Sequence, residues 1–591
     1  MPFPPAPFPN MPDGPDRVAP THTNHISQPG AEGISQIQAP QQGDLPQDNG
    51  LTLEYLDTGV GNVADDIQQF RSFGRFNAGQ SRVYRPSNVG EVKQCFEIAR
   101  KAKRRVIIRG GGHSFDGQAL HEFDTGAQMI LSTGDFDPDR IEFDPNRPDR
   151  VTLGCGVRWR HFVTEAIHHA KQNNIPLFLP GCLQTGGDAT VTGTLSGDCL
   201  SRFSGTMGKE SVWIDSFRIL TPTGDRAMHV SRENDSDLFH AVIGGHGYIG
   251  LVTDVTYILK RVDNTLRHID GLENGNDGYR HLCSHTNAIT LTSLSELIQK
   301  QVQLLDTSAS HTSSPSYMRA ISAEWFGGAA GNPDRIHGAV CDSWFATPSI
   351  PKARGFPLYH NLHSWLRYQA EVAVRYPFGA ELVSWFLYLW AVIFRYFEDP
   401  VDDFLFFMDG DTAARRKFEK LNHPQLFPVV QQTFVVPVEQ TETFTKDCIR
   451  KIREHKIHPT TCDMLFVLAD ECLLSANYGL NGFAVSFGFE RPESAGRPPE
   501  RVFALLRELS RDCQNAGGRL HLPKNSHVDR EVFRSMFKGQ IERFEQIKRR
   551  YDPELLLQNS FSDRFFDFEE GKPALPQRMD SATGKALGAT S

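Results

Sequence analysis

The run Val106-Ile-Ile-Arg-Gly-Gly-Gly-His-Ser-Phe-Asp-Gly117 joins a short apolar strand to a three-glycine turn. Consecutive glycines let successive backbone N–H groups curl towards one point, which makes an anion-binding nest suited to a pyrophosphate. The spacing is not that of the Rossmann fingerprint, and no long helix clearly opens from the turn. A turn needs no imidazole, so His113 adds chemistry: it can act as a nucleophile, a base or a covalent tether.

Two further glycine clusters lie downstream. Pro180–Gly208 is rich in Gly, Thr and Ser, which allows close backbone approach to a ligand and supplies hydroxyls; the plain alternative is a flexible loop. Gly244-Gly-His-Gly-Tyr-Ile-Gly250 precedes the strand LVTDVTYIL. One large phosphate-bearing cofactor gripped by several loops accounts for all three clusters. Around them, QSRVYRP, MILST, RVTLGCGV and WIDSFRILTP read as strands. SNVGEVKQCFEIARKAK has helical apolar spacing with Ser87 as its N-cap, and VRWRHFVTEAIHHAKQNN is a second amphipathic helix.

The fold class is α+β. Residues 51–262 form one unit and 263–518 a second, with an antiparallel sheet carried by TFVVPVEQ and NGFAVSFGFE and a helix over PPERVFALLRELSRDCQNAGG closed by a glycine pair. Residues 519–568 form a last folded segment with a helix from Asp529 to Tyr551. Residues 1–50 are proline-rich and read as a disordered tail, and 569–591 as a loose one. Leu382–Phe394 is uncharged but too short to span a bilayer. It reads as a buried helix within an apolar insert near 378–407, as a membrane foot, or as a greasy substrate channel.

The 591 residues carry a net charge of −9, which argues against nucleic acid as the main partner. The ten cysteines form no CxxC pair and no Cys/His cluster has zinc spacing, so free thiols in a reducing compartment and no metal site are expected. No basic leader precedes an apolar core, so the expected placement is cytoplasmic, with membrane association through the apolar run kept open.

VYRPSNVGEV, VIIRGGGHSFDG, TGTLSGD, SFRILTPTGD and NDSDLFHAVIGGHGYIGLVTDVTY, in that order, resemble the FAD-binding domain of the vanillyl-alcohol oxidase / p-cresol methylhydroxylase (PCMH) superfamily. QQTFVVPVEQ, GGRLHLPKNSHV and KRRYDPELLLQNSFSDRF resemble the substrate domain and C-terminal cap of its sugar-oxidising branch, which includes aldonolactone, alditol and decaprenylphosphoryl-ribose oxidases. The resemblance covers residues 80–262 and 425–565; residues 270–420 match nothing recognisable. It implies a PCMH-type FAD-binding domain with two α/β subdomains, plus an α+β substrate domain.

The same resemblance implies roles. Arg109, Gly110, Gly111, Gly112, Ser114, Phe115 and Gly117 belong to the pyrophosphate loop, and His113 stands where relatives bond covalently to FAD. Thr185, Thr194, Ser196, Gly197 and Asp198 line the adenine and ribityl side, and Ile249 and Val252 clasp the adenine end. Lys524, after Gly517-Gly-Arg-Leu-His-Leu-Pro, places a cation at the flavin, Gln431 bonds a substrate hydroxyl, and His521, ahead of Asn525 and His527, is a candidate base. Cys182 falls one residue out of register with the second flavin tether of berberine-bridge relatives, so a buried free thiol is its plain reading. The His-Trp-x-Lys signature of aldonolactone oxidases is absent, and Ala484 and Ser486 replace the Cys and Asp of the decaprenyl-linked enzyme.

The implied activity is oxidation of a CH–OH group on a sugar, polyol or lipid-linked alcohol, with hydride passing to FAD. The alternative is oxidative cyclisation or desaturation of a hydrophobic metabolite. The partners are then a small-molecule or lipid-like substrate and O2 or another acceptor, with peripheral membrane contact and oligomeric state open.

Overall fold

The computed structural model describes residues 67–184, 186–262, 283–311, 318–326, 336–346, 395–400, 429–457, 461–490 and 500–568, with single positions at 385, 388, 389, 392, 393, 405 and 459. The proposed tails 1–50 and 569–591, most of the insert near 378–407, and Thr185 lie outside the described residues.

The first sheet contains β1 (Ile67–Arg71), β2 (Ala78–Tyr84), β3 (Val106–Arg109) and β4 (Thr125–Ser132) in the order β1-β2-β4-β3. The β2/β4 and β3/β4 pairs are parallel and β1/β2 is antiparallel. Helix α1 (Val89–Lys101) connects β2 to β3 and buries Val92, Cys95, Phe96 and Ala99, one face of its 3.6-residue repeat. Its N-cap is Asn88, not Ser87: the Asn88 side chain accepts from the Glu91 N–H, while Ser87 bonds the Glu91 carboxylate from outside the helix.

The second sheet is antiparallel and five-stranded. It uses β5 (Ile141–Phe143), β6 (Arg150–Gly154), β8 (Ile214–Leu220), β9 (Met228–Ser231) and β10 (Leu251–Ile258), ordered β5-β6-β10-β8-β9. A small pair, β7 (Leu177–Leu179) with β11 (Lys260–Val262), stands beside it. Helix α2 (Trp159–Gln172) buries Trp159, Phe162, Val163 and Ala166. The Pro180–Gly208 stretch is not a loop throughout. It holds α3 (Val191–Gly197), capped by the Thr190 side chain, and α4 (Ser204–Met207). Helix α5 (Ser236–Val242) leads to the third glycine cluster.

The third sheet has eight antiparallel strands: β12 (Cys283–Leu291), β13 (Arg319–Phe326), β14 (His337–Ala346), β15 (Tyr396–Pro400), β16 (Val429–Pro437), β17 (Thr461–Val467), β18 (Gly482–Glu490) and β19 (Arg519–Leu520). Their order is β15-β12-β14-β13-β17-β18-β16-β19. Strand alternation gives this sheet two different faces. Phe434, Val436, Phe483, Val485, Phe487, Ile321 and Trp325 share the main core with α6 (Leu294–His311), α7 (Val438–Glu454) and α8 (Glu500–Asn515). The intervening residues face the other way. Val435 and Ala484 there form a separate small cluster with Leu200, from the loop between α3 and α4.

Residues 519–568 return to the first sheet. Leu557 bridges Val106, and the Asn559 amide donates to the carbonyls of Gly117, Gln118 and Leu120 at 2.8, 3.2 and 2.9 Å. The helix expected from Asp529 to Tyr551 is two helices, α9 (Arg530–Met536) and α10 (Gln540–Tyr551). Gly539 breaks it at φ +83°, in the left-handed region that glycine adopts without a Cβ clash. A short helix α11 (Ser560–Phe565) closes the described chain.

Candidate functional site

Strand β3 delivers Arg109 and then the glycine turn to one end of a cleft that, with the solvent at its open mouth, takes in about 850 Å³. Gly110, Gly111, Gly112, His113 and Ser114 line it, facing Thr190, Thr192, Gly193, Thr194, Ser196 and Gly197 from α3 and its cap. His246, Gly247, Gly250 and Val252 form another wall, and Pro523 closes one end. The three glycine clusters, separate in sequence, therefore meet at one cavity. Of the residues singled out from sequence, nine line it: Gly110, Gly111, Gly112, His113, Ser114, Thr194, Ser196, Gly197 and Val252.

The others are placed differently. Arg109 turns away, and its guanidinium donates to the carbonyls of Ala119 and Arg71 at 2.9 and 3.2 Å and stacks over Phe70. Gly117 opens a buried turn held by Asn559. Ile249 is a core residue. Asp198, at φ +44°, ends α3, but its carboxylate pairs with buried Lys209, which also holds Asp470 at 2.8 Å. That ammonium sits among the acidic groups where Asp198, Asp470 and Cys472 come together. Cys182 is fully buried beside Ser201, its thiol pushed up to about 12 by burial.

Buried polar contacts fix the wall that carries Thr194. Its hydroxyl accepts from the Trp159 indole N–H at 2.8 Å and donates to Glu210 at 2.9 Å. Glu210 is fully buried, also bonded by Gln184 and Tyr257, and burial pushes its carboxyl up to about 8. Ser196 donates to the Thr192 carbonyl at 2.8 Å.

These residues fit FAD. A Cβ at Gly110 would stand 2.3 Å from Thr190 Oγ1, and one at Gly111 2.8 Å from the Asp188 carbonyl, so the turn packs against the residues that lead into α3 with no room for a side chain. Gly112 and Gly247 need positive φ, at +73° and +75°. His246 lines the cavity with its Nε2 buried and without a hydrogen-bond partner among the described residues, as expected where a polar ligand completes the set. Burial lowers its pKa to about 4, so it meets that ligand neutral. Sequence reading recorded the glycines around His246 but not the imidazole itself; the signal was the same as at His113, a histidine inside a glycine turn.

Beyond Pro523 stands Lys524. Its Nζ donates to Gln431 Oε1 at 2.8 Å and lies 3.9 Å from the centre of the Phe115 ring. Burial lowers its pKa to about 8, against the opposing pull of Asp463. Gln431 Nε2 in turn donates to Asp463 Oδ2 at 3.3 Å. Gln118, a cavity residue, donates to the Lys524 carbonyl at 2.9 Å and ties this group to the cleft. His521 is buried, with its pKa driven well below 6.5 by burial and by Lys209 and Lys524, so it stands neutral. Asn525 exchanges hydrogen bonds with the Gln431 backbone and fixes β16 against this loop.

Known proteins match both regions. A model of the FAD binding domain matches residues 81–227, and a model of D-arabinono-1,4-lactone oxidase matches residues 362–565. The second match begins at residue 362, which corrects the expectation that 270–420 resembles nothing for residues 362–420. Decaprenylphosphoryl-beta-D-ribose oxidase of Mycolicibacterium smegmatis is 22% identical over 80% of this chain and 92% of its own length. An uncharacterized oxidoreductase of the Rhodococcoides fascians fasciation locus is 28% identical over 31% of the chain, and cytokinin dehydrogenase 9 of Oryza sativa subsp. japonica 26% over 37%. The chain spans only 38% and 40% of the length of these last two relatives. A cavity whose first two glycine clusters lie under the FAD-binding match, beside sheet strands β15 to β19 under the lactone-oxidase match, makes the chain an FAD-linked oxidoreductase similar to the PCMH-type FAD-binding proteins.

Proposed function

We propose that the chain oxidises a CH–OH group of a sugar, polyol or lipid-linked alcohol at the junction of the cleft and the eight-stranded sheet. The observation that carries this reading is the polar row beside the cavity end: Lys524, Gln431, Asp463, Ser486 and Thr433. Asp463 pairs across to Ser486 and Ser486 to Thr433, so the three share one sheet face, with the two hydroxyls 2.8 Å apart. A face of this kind, half-buried and lined by hydroxyls and amides, suits a substrate with several hydroxyls, because polar groups taken out of water need partners.

In this reading residues 51–262 hold FAD across the four- and five-stranded sheets, 263–518 supply the substrate sheet, and 519–568 bring Lys524 back to the cavity. The glycine turn and α3 hold the cofactor. When bound, FAD supplies a two-electron acceptor for the hydrogen leaving carbon. Gln431 orients the substrate hydroxyl, and Lys524 offers positive charge where negative charge develops. O2 or another acceptor takes the electrons onward.

A lipid-like alcohol has one specific observation in its favour. Residues 385, 388, 389, 392 and 393 are helical, and Trp385, Leu389 and Ile393, four apart, are 53, 37 and 62% exposed, an apolar stripe along one side. Among the described residues no helix is long and apolar enough to cross a membrane.

His113 supports a covalent link. It lines the cavity and stacks on Phe73 with ring centres 5.4 Å apart. Acid precipitation of the purified protein is expected to leave the yellow chromophore on the polypeptide, and His113→Ala to release it as free FAD. Release from the unaltered protein would remove the tether from the account and leave the cavity assignment standing.

A further inference from the structure

On β13, Glu324 lies directly opposite Asp463 of β17, so two acidic side chains share one face of neighbouring antiparallel strands. Like charges so placed repel, with Cβ atoms about 5 Å apart. The groups facing them are Ser486 from β18, Gln431 from β16, Lys524 from the loop after β19, Arg202 from the loop before α4 and Cys341 on β14. Ser486 and Gln431 hydrogen-bond Asp463 directly. Core packing does not require this pair, because the opposite face of the same strands makes the core.

We propose that Asp463, with Glu324 beside it, is the acceptor of the substrate's hydroxyl proton. This rests on the alcohol-oxidising reading above. The balance is simple: the C–H hydrogen leaves with its electron pair to the FAD acceptor, the O–H proton passes to the Asp463 carboxylate, and the C–O bond becomes a carbonyl. The substrate loses two electrons and Asp463 becomes a carboxylic acid. Geometry selects Asp463 over His521. It bonds the same Gln431 that holds Lys524, and a substrate hydroxyl replacing one bond of that chain would meet charge on one side and a proton acceptor on the other. Burial raises the Asp463 pKa against the pull of Lys524, and burial together with Asp463 raises that of Glu324 to about 7. A base tuned upwards towards working pH is the efficient kind.

The test compares FAD-loaded wild type, Asp463→Asn and Glu324→Gln, reduced without oxygen by a panel of sugars, polyols and long-chain alcohols between pH 5 and 9. Asp463→Asn is expected to keep the flavin spectrum and to lose 10²- to 10⁴-fold in the rate of bleaching, the range for a lost general base. The rise of rate with pH disappears in Asp463→Asn and moves to lower pH in Glu324→Gln, which removes the neighbouring negative charge. An Asp463→Asn rate within threefold of wild type, with the same rise, overturns the proposal.

A wild type bleached by none of the alcohols overturns the substrate reading instead, and thermal unfolding then judges the pair. A carboxyl whose pKa is raised on folding loses stability as pH rises from the ordinary aspartate value through the raised one, so Asn gains on Asp more at pH 8 than at pH 4. An equal melting-temperature gap at both pH values removes Asp463 as the tuned acid.

Discussion

Replacing Lys524 with Met lowers the rate at which an alcohol bleaches the bound flavin by about 10²- to 10³-fold, the loss typical of one preorganised charge-stabilising donor. The side chain is held for this task. Gln431 Oε1 fixes its Nζ at 2.8 Å, and the Phe115 ring, next to the glycine turn, supports it at 3.9 Å. Met fills nearly the same volume, so the sheet and the cavity stay intact and the visible spectrum persists. The pH dependence has a definite sign. Burial lowers the pKa to about 8, so the ammonium is present below that pH and lost above it, and the rate falls as pH rises through 8. Lys524→Arg, charged throughout, keeps part of the rate and loses that fall. Stopped-flow bleaching measures both, and a Met variant within tenfold of wild type removes Lys524 from the chemistry.

Gly110→Val yields a folded protein that purifies without its yellow colour. The new Cβ would stand 2.3 Å from Thr190 Oγ1, and that hydroxyl caps α3 through the Gly193 N–H at 3.3 Å. The turn and the helix end cannot both keep their places. Overpacking of about 1–3 kcal/mol at the turn displaces the backbone that lines the cavity, so the variant loads little FAD during expression. Gly134→Ala is the control, since a Cβ there meets nothing within 4 Å, and it keeps FAD. The flavin content of the two purified proteins, read from their visible spectra, with circular dichroism to confirm folding, separates them.

The cofactor cavity was legible because its pieces are local. A strand running into three glycines, and hydroxyls set on α3, announce themselves within a dozen residues. The substrate side was less so. Lys524 and Gln431 were named, yet Asp463 and Glu324 were not, because only the sheet order brings β13, β17 and β16 together. Strand β1 escaped notice for the same reason: its five residues alternate exposed and half-buried and carry no apolar run, and only pairing with β2 defines them. Asp198 matched the family pattern by position. Its carboxylate is taken by Lys209, eleven residues on, through a turn that sequence spacing does not reveal.

The central claim is that one cavity holds FAD and that the adjoining polar sheet face presents an alcohol to it. The visible spectrum of the purified protein, recorded without oxygen before and after addition of sugars, polyols and long-chain alcohols, tests this directly. The account predicts a flavin spectrum that at least one of these alcohols bleaches. A colourless protein that takes up no added FAD would contradict it.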